Sequence, residues 1–235
     1  MKEAVMDNTA EKRCCCLERL RNLFCKICHR IKWRINFRFR NSKFFYRSFY
    51  KRLLRKETST PVLLNLGCNI VYMENWINVD VDWRVKADIY ADIRDLSRIF
   101  PGNSVDTILM SHVISYFSLE AARRFFRLAY SILKPGGKLV FEFPDIKKLA
   151  TSFCEIDSID DDDEFNRYLE LLRPVFACIP EEKIGTERYD TYVFAWSAMH
   201  MKKELSLAGF REIEVLPPEY HGKQVLRDTR IECCK

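Results

Sequence analysis

The sequence predicts an α/β fold on a mostly parallel sheet covered on both faces. Short apolar runs end in Gly, Asp or Ser-His, an amphipathic helical pattern follows the fourth run, and a Pro-Gly-Gly turn separates that helix from the next strand. Strands alternating with helical patterns argue for parallel pairing, and ligands in such sheets sit at the carboxyl ends of the strands. The polar residues of this chain fall at those ends.

In order, Val62-Leu63-Leu64-Asn65-Leu66 is a short apolar strand that breaks at Gly67-Cys68-Asn69, and Ile77-Asn78-Val79 is a second strand ending at Asp80. Asp88-Ile89-Tyr90-Ala91-Asp92 is the third, and Val105 to Met110 the fourth, opening into Ser111-His112. A helical pattern from Leu119 to Leu133 stops at Lys134-Pro135-Gly136-Gly137, and the strand Lys138 to Phe143 follows.

The chemistry of the strand ends narrows the ligand. Gly67 has no Cβ, so the backbone there can turn sharply and approach a ligand closely. Asp80 ends the second strand, where a carboxylate accepts both hydroxyl protons of a ribose. A nicotinamide dinucleotide is disfavoured, because G-x-G-x-x-G is absent and only 13 positions separate Gly67 from Asp80, against roughly 20 in dinucleotide folds.

The words LNLGCN, WINVD, ADIYADI, NSVDTILMSHV and LKPGGKLVFEFP resemble the class I S-adenosylmethionine-dependent methyltransferases, in particular the type 11-like branch associated with small-molecule and glycan biosynthesis. The resemblance is strong from Leu63 to Pro144 and visible from Met199 to Glu232, where KKELSLAGFREIEVLPP and LRDTRIE look like the last helix, final strand pair and closing segment. Nothing before about Thr60 matches. It implies a Rossmann-like, doubly wound, mostly parallel seven-stranded sheet over residues 60–235, with S-adenosyl-L-methionine as cofactor. Carried over residue by residue, it places the cofactor against Leu66, Gly67, Cys68, Asn69, Asp80, Val81, Asp92, Ile93, Ser111 and His112, with Asp92 facing the adenine amino group. Two positions depart from the family pattern. Asn69 stands where a second glycine is usual, although Asn tolerates left-handed backbone better than most side chains. Ser115-Tyr116 replaces a Glu-His pair.

Methyl transfer to a hydroxyl needs a base near neutral pH, for which histidine is the default. Of His29, His112, His200 and His221, His112 is the catalytic candidate, because it follows the fourth strand at the expected cleft; a purely cofactor-lining role is its alternative. His200 and His221 read as surface residues. Residues 146–197 form an insert that the resemblance makes a substrate lid, with Tyr189, Asp190 and Tyr192 in the segment used for acceptor recognition. Its acidic run Asp160 to Glu164 lacks the alternating spacing of a calcium loop and reads as a solvated loop or helix N-terminus, so no metal site is expected.

Residues 1–59 form a basic, aromatic-rich arm. Residues 1–56 hold 17 Lys or Arg against 4 Asp or Glu, a net of +13, leaving 22 against 29, a net of −7, for the rest of the 235-residue chain. Phe45, Phe49 and Leu53 fall four apart beside Tyr46, Tyr50 and Leu54, a helical apolar stripe among Arg47, Lys51, Arg52 and Arg55. Three uses are open to it: docking on an anionic membrane surface, which is favoured, packing on the catalytic domain, close behind, and binding nucleic acid through phosphates and stacking, for which no RNA-binding motif is recognisable. No run of about 20 apolar residues is present and the polar start does not resemble a signal peptide, so the expected location is cytoplasmic, peripheral at a membrane's inner face. Ten cysteines suit reduced thiols; Cys25 to His29 spells a haem-attachment pattern by accident, and Cys14-Cys15-Cys16 is open to acylation.

The reading is therefore a methyltransferase acting on a small molecule or glycan. Its rivals are a degenerate methyltransferase fold serving as a scaffold, motivated by Asn69, and a nucleic-acid methyltransferase, disfavoured because no base-methylating motif follows the fourth strand.

Overall fold

The computed structural model describes residues 61–156, 161–176, 192–220 and 227–235. All of them belong to the second of the chain's two units, Arg52–Lys235. The expectations for the arm, and for Tyr189, Asp190 and His221, lie outside the described residues.

Seven strands form one sheet: β1 (Leu63–Leu66), β2 (Ile77–Asp80), β3 (Ile89–Tyr90), β4 (Val105–Ser111), β5 (Leu133–Pro144), β6 (Arg211–Leu216) and β7 (Asp228–Cys234). Their order is β3-β2-β1-β4-β5-β7-β6. Pairing is parallel from β3 through β5, and β7 lies antiparallel to both β5 and β6. This is the doubly wound, mostly parallel seven-stranded sheet that the strand signals and the resemblance imply. Chain order reverses at β1, with β2 on one side and β4 on the other, which opens a crevice at the carboxyl ends of these strands.

Central strands buried on both faces should be continuously apolar rather than alternating. Accordingly Leu64, Leu66, Ile108, Leu109, Met110, Leu139, Phe141 and Phe143 are all buried. Helix α1 (Leu119–Ile132) starts at Ser118, whose hydroxyl accepts the Ala121 amide at 3.3 Å, and buries Ala122, Phe125, Phe126, Ala129 and Ile132 on one face. Phe125 and Phe126 meet Phe141 edge-on at 6.4 and 5.7 Å, and Phe126 meets Trp196 at 6.0 Å. Each buried ring contributes roughly 2–3 kcal/mol, so this seam fixes α1 on the sheet. Edge strand β6 is largely exposed and carries Arg211, Glu212 and Glu214, charges that discourage pairing with another sheet.

Two boundaries differ from expectation. β3 is confined to Ile89–Tyr90, because Asp92 caps a 3₁₀ helix, Ile93–Arg98, and accepts the Arg94 amide at 3.0 Å. β5 begins at Leu133, so Pro135-Gly136-Gly137 lies inside the strand rather than before it. A register shift between Val105 and Thr107 absorbs the irregularity, while Gly136 donates to the Lys235 carbonyl at 3.2 Å and Lys235 to that of Gly137 at 3.0 Å. The β1–β2 connection contains turns and no helix.

Helices α2 (Ile146–Cys154) and α3 (Asp162–Phe176) follow β5, and α4 (Ala198–Leu207) precedes β6. The acidic run opens α3: Asp162, Asp163 and Glu164 occupy its first turn, and the Asp161 carboxylate accepts the Glu164 amide at 2.8 Å. No group of three His, Cys, Asp or Glu among the described residues could hold a metal ion, and no described helix is long and apolar enough to cross a membrane.

Candidate cofactor and acceptor site

The β1 turn is shaped by two left-handed residues. Gly67 has φ +66°, and a Cβ there would meet Val113 Cγ2 at 2.4 Å, so only glycine lets the loop after β4 close on this turn. Asn69 has φ +44°, a conformation that asparagine adopts at lower cost than most residues. The Asn69 amide donates to Asp80 Oδ2 at 2.8 Å, and the Asp82 amide donates to Oδ1 at 2.7 Å. One backbone bond thus holds each oxygen of a buried carboxylate at the end of β2. A carboxylate has about four acceptor positions, so two remain for the vicinal hydroxyls of a ribose.

A buried amide network supports this turn. Asn78 Oδ1 accepts from Asn65 Nδ2 and the Met73 amide, both at 2.9 Å, while Asn78 Nδ2 donates to the carbonyls of Met73 and Trp76 and to Asp88 Oδ2 at 2.9, 3.0 and 3.0 Å. Asp88 also accepts the Asn78 amide at 2.8 Å and the Tyr72 hydroxyl at 2.9 Å. Every hydrogen-bonding position of the Asn78 side chain is used, which pins the loop between β1 and β2.

The other expected cofactor residues are placed as follows. Leu66 is wholly buried, so only its backbone can face a ligand. Cys68 is buried with Sγ 3.6 Å from the Lys86 carbonyl; burial, reinforced by the Asp80 charge, pushes its thiol up to about 12, which keeps it protonated and non-nucleophilic. Val81 is half-exposed and Ile93 buried. Asp92 receives Arg94 Nε at 2.8 Å as well as the Arg94 amide, so its carboxylate already carries a guanidinium partner. Ser111 Oγ lies 3.4 Å from Glu142 Oε2.

His112 has φ +56°, held by its amide, which donates to the Glu142 carbonyl at 2.8 Å. Its Nε2 lies 3.1 Å from Asp228 Oδ2. Asp228 is fully buried at the start of β7 and takes a two-pronged contact from Arg227, Nε and Nη2 each at 2.8 Å. Burial alone would raise the Asp228 pKa; hydrogen bonds from Arg227 and His112, with their charges, outweigh it and hold the carboxyl below its ordinary value. Tyr192 packs 4.9 Å from Tyr116, ring to ring. Burial pushes the Tyr192 phenol well up.

Ser115 and Tyr116, the departure from the family pattern, form the joint to this segment: the Ser115 carbonyl accepts the amides of Val193 and Phe194 at 2.8 and 3.1 Å. Glu142, wholly buried on β5, accepts the amides of Glu219 and Tyr220, the latter at 2.8 Å, and so anchors the segment before β7. His200 stands apart, packed on Trp196 and Phe194 at 5.0 and 5.5 Å with Nε2 3.5 Å from Glu204.

Sequence reasoning missed Asp228, Asn78, Asp88 and Glu142 as site-building residues. The signal for Asn78 and Asp88 was present, since polar residues bounding a buried strand need partners. Asp228 carried none, because its neighbours Arg227 and Arg230 make that stretch read as a charged closing segment.

Residues 59–141 match the model of a methyltransferase domain family. No curated protein matches the sequence. Among solved structures, a SAM-dependent methyltransferase from Archaeoglobus fulgidus is similar at 14% identity and a TM-score of 0.48, covering 86% of this chain and 98% of its own. An S-adenosylmethionine-dependent methyltransferase from Mesorhizobium loti is similar at 17% identity and a TM-score of 0.48, covering 78% and 96%. The family match supports S-adenosylmethionine-dependent methyl transfer and indicates S-adenosylmethionine as the cofactor.

Proposed function

We propose that this chain transfers a methyl group from S-adenosylmethionine to a hydroxyl of a small molecule or glycan, at an anionic membrane surface faced by residues 1–56. One observation carries the cofactor assignment: the Asp80 carboxylate, fixed by the amides of Asn69 and Asp82 beside the glycine turn, presents its spare lone pairs at the end of β2. Gly67, Asn69 and Asp80 would hold the nucleoside, and the backbone around Cys68 and Ile93 would line it. When bound, S-adenosylmethionine supplies an electrophilic methyl whose carbon–sulfur bond breaks with its electron pair to sulfur, leaving S-adenosylhomocysteine.

The protein's own part is alignment, which contributes roughly 7–11 kcal/mol when donor and acceptor are held in attack geometry. The acceptor side is the end of β4 with the start of β7, where Tyr116 and Tyr192 present neighbouring rings. Aromatic faces suit the apolar side of a sugar or a phenol, with a polar edge left for its hydroxyls. The basic arm gives a reason for an acceptor near a membrane.

The test is transfer of tritium from methyl-labelled S-adenosylmethionine by the full chain to methyl glucoside and phenol, with phosphatidylserine vesicles, with phosphatidylcholine vesicles and with none. The reading expects label on a hydroxyl probe and retention of the chain on the anionic vesicles alone. Label entering RNA instead would overturn the acceptor class, and equal retention on both vesicles would remove the membrane role.

A further inference from the structure

We infer that the outer faces of α1 and α4 form a docking surface for anionic lipid, separate from residues 1–56; the inference deepens the membrane reading above and rests on it. The two helices lie side by side. Arg123 on α1 reaches Glu204 on α4 with Nε and Nη2, each at 2.7 Å, and Tyr130 near the end of α1 meets Phe210 just past α4 edge-on at 5.3 Å.

Their inner faces are committed to the core, through Phe125, Phe126 and Ala129 on α1 and Met201 and Leu205 on α4. Outward, α4 shows Met199, Lys202, Lys203 and Ser206, spaced i, i+3, i+4 and i+7 as one helical stripe, with Leu207 beside it. Met199 and Leu207 are 76% and 71% exposed. Helix α1 adds Arg123, Arg124 and Arg127, all exposed. Arg123 is tied to Glu204 and Arg124 to Glu120, whereas Arg127, Lys202 and Lys203 have no hydrogen bond or ion pair from their side chains among the described residues.

Charge sets this face apart. The two helices carry five Arg or Lys against two Glu, a net of +3. Residues 57–235 hold 22 basic against 29 acidic, so 17 against 27 remain outside the two helices, a net of −10. A basic face on an acidic domain selects an anionic partner. Lipid is favoured over nucleic acid by Met199 and Leu207, which suit the acyl boundary while the Lys and Arg stems lie along it. Nucleic-acid strands are held by exposed aromatic rings as well as charge, and no exposed residue of either helix is aromatic. Both helices also start at the crevice end of the sheet: α1 follows Tyr116 closely, and the Ala198 amide at the start of α4 donates to Asp145 Oδ2 at 3.0 Å, just past β5. Lipid docked along them borders the acceptor side.

The test is cosedimentation of the full chain with vesicles of phosphatidylcholine alone and of phosphatidylcholine with phosphatidylserine. Arg127→Gln, Lys202→Gln and Lys203→Gln are combined in one variant. A second, with Lys86→Gln, Arg98→Gln and Lys147→Gln, removes the same charge from exposed positions elsewhere on the domain. Partition to the anionic vesicles should weaken about 100-fold in the first variant and less than about 5-fold in the second. Met199→Ser with Leu207→Ser should weaken it at least about 10-fold, which decides the matter if the first variant fails to fold. Equal losses in the two charge variants, or none in the first, would overturn the proposal. So would loss of polyuridylate binding in the first variant with vesicle binding intact, which assigns the face to nucleic acid. Retention of the wild type and the first variant alike leaves the role of residues 1–56 standing, whereas no retention of the wild type removes both.

Discussion

The two sides of the crevice are built differently. On the β1–β3 side, the residues proposed to shape a nucleoside pocket bond one another over short stretches of chain: Asn69 to Asp80, Asp82 to Asp80, Asn78 to Met73 and Asp88. On the β4–β7 side, the contacts join distant segments: His112 to Asp228, Glu142 to Glu219 and Tyr220, Ser115 to Val193 and Phe194. On the proposed reading, the first side is a local backbone device for the nucleoside, and the second, assembled by the fold from distant segments, is where the acceptor would be chosen.

The largest effect that would break the first side is expected from Asn78→Ala. The residue is fully buried, and its loss removes the acceptor of the Met73 amide, one of the two acceptors of Asn65 Nδ2 and the donor to the carbonyls of Met73 and Trp76, at about 1–3 kcal/mol for each group left unsatisfied. Denaturant unfolding should show a total loss of about 3–5 kcal/mol; a loss below about 1 kcal/mol would mean that water replaces the network. Gly67→Ala comes next. It adds a Cβ 2.4 Å from Val113 Cγ2 in a left-handed backbone, costing about 2–3 kcal/mol and displacing the His112 loop, so both sides of the crevice should suffer together.

Acid sensitivity belongs to the second side and to the α1–α4 contact. Hydrogen bonding from Arg123, 2.7 Å at both oxygens, holds Glu204 below its ordinary pKa, as Arg227 and His112 hold Asp228. A carboxylate with a lowered folded pKa contributes stability above its unfolded value, roughly 4, and loses it as pH falls through the folded value. Melting temperature should therefore drop steeply below about pH 4, and the acid limb should be shallower in Glu204→Gln. The smallest effect is expected from Asn69→Gly. Its contribution is a backbone amide in a conformation that glycine also adopts, so cofactor affinity should change by less than about 3-fold. A large gain in affinity would instead identify Asn69 as the lesion of a degenerate scaffold.

The same contrast explains what was legible in the sequence. Val62 to Leu66 followed by Gly67, and Ile77 to Asp80, read correctly because a strand, its turn and its terminal carboxylate are set by neighbours in the chain. Helix α1 was legible for the same reason. Pro135 to Gly137 read as a stop, yet the strand passes through them because Lys235 supplies partners from the chain's far end. Asp228 is the sharper case: nothing around it predicts a buried charge until β7 is laid antiparallel to β5, with Asp228 opposite Pro144. Asp92 lies between these cases, since its position was legible but its bond to Arg94 was not.

Calorimetric titration of the full chain with S-adenosylmethionine and S-adenosylhomocysteine, repeated on Asp80→Ala, tests the central claim most directly. Micromolar binding of both ligands by the wild type, weakened at least about 100-fold in the variant by loss of charge-assisted hydrogen bonds, is the predicted result. Absence of binding in the wild type, or equal binding by a folded Asp80→Ala chain, would contradict it.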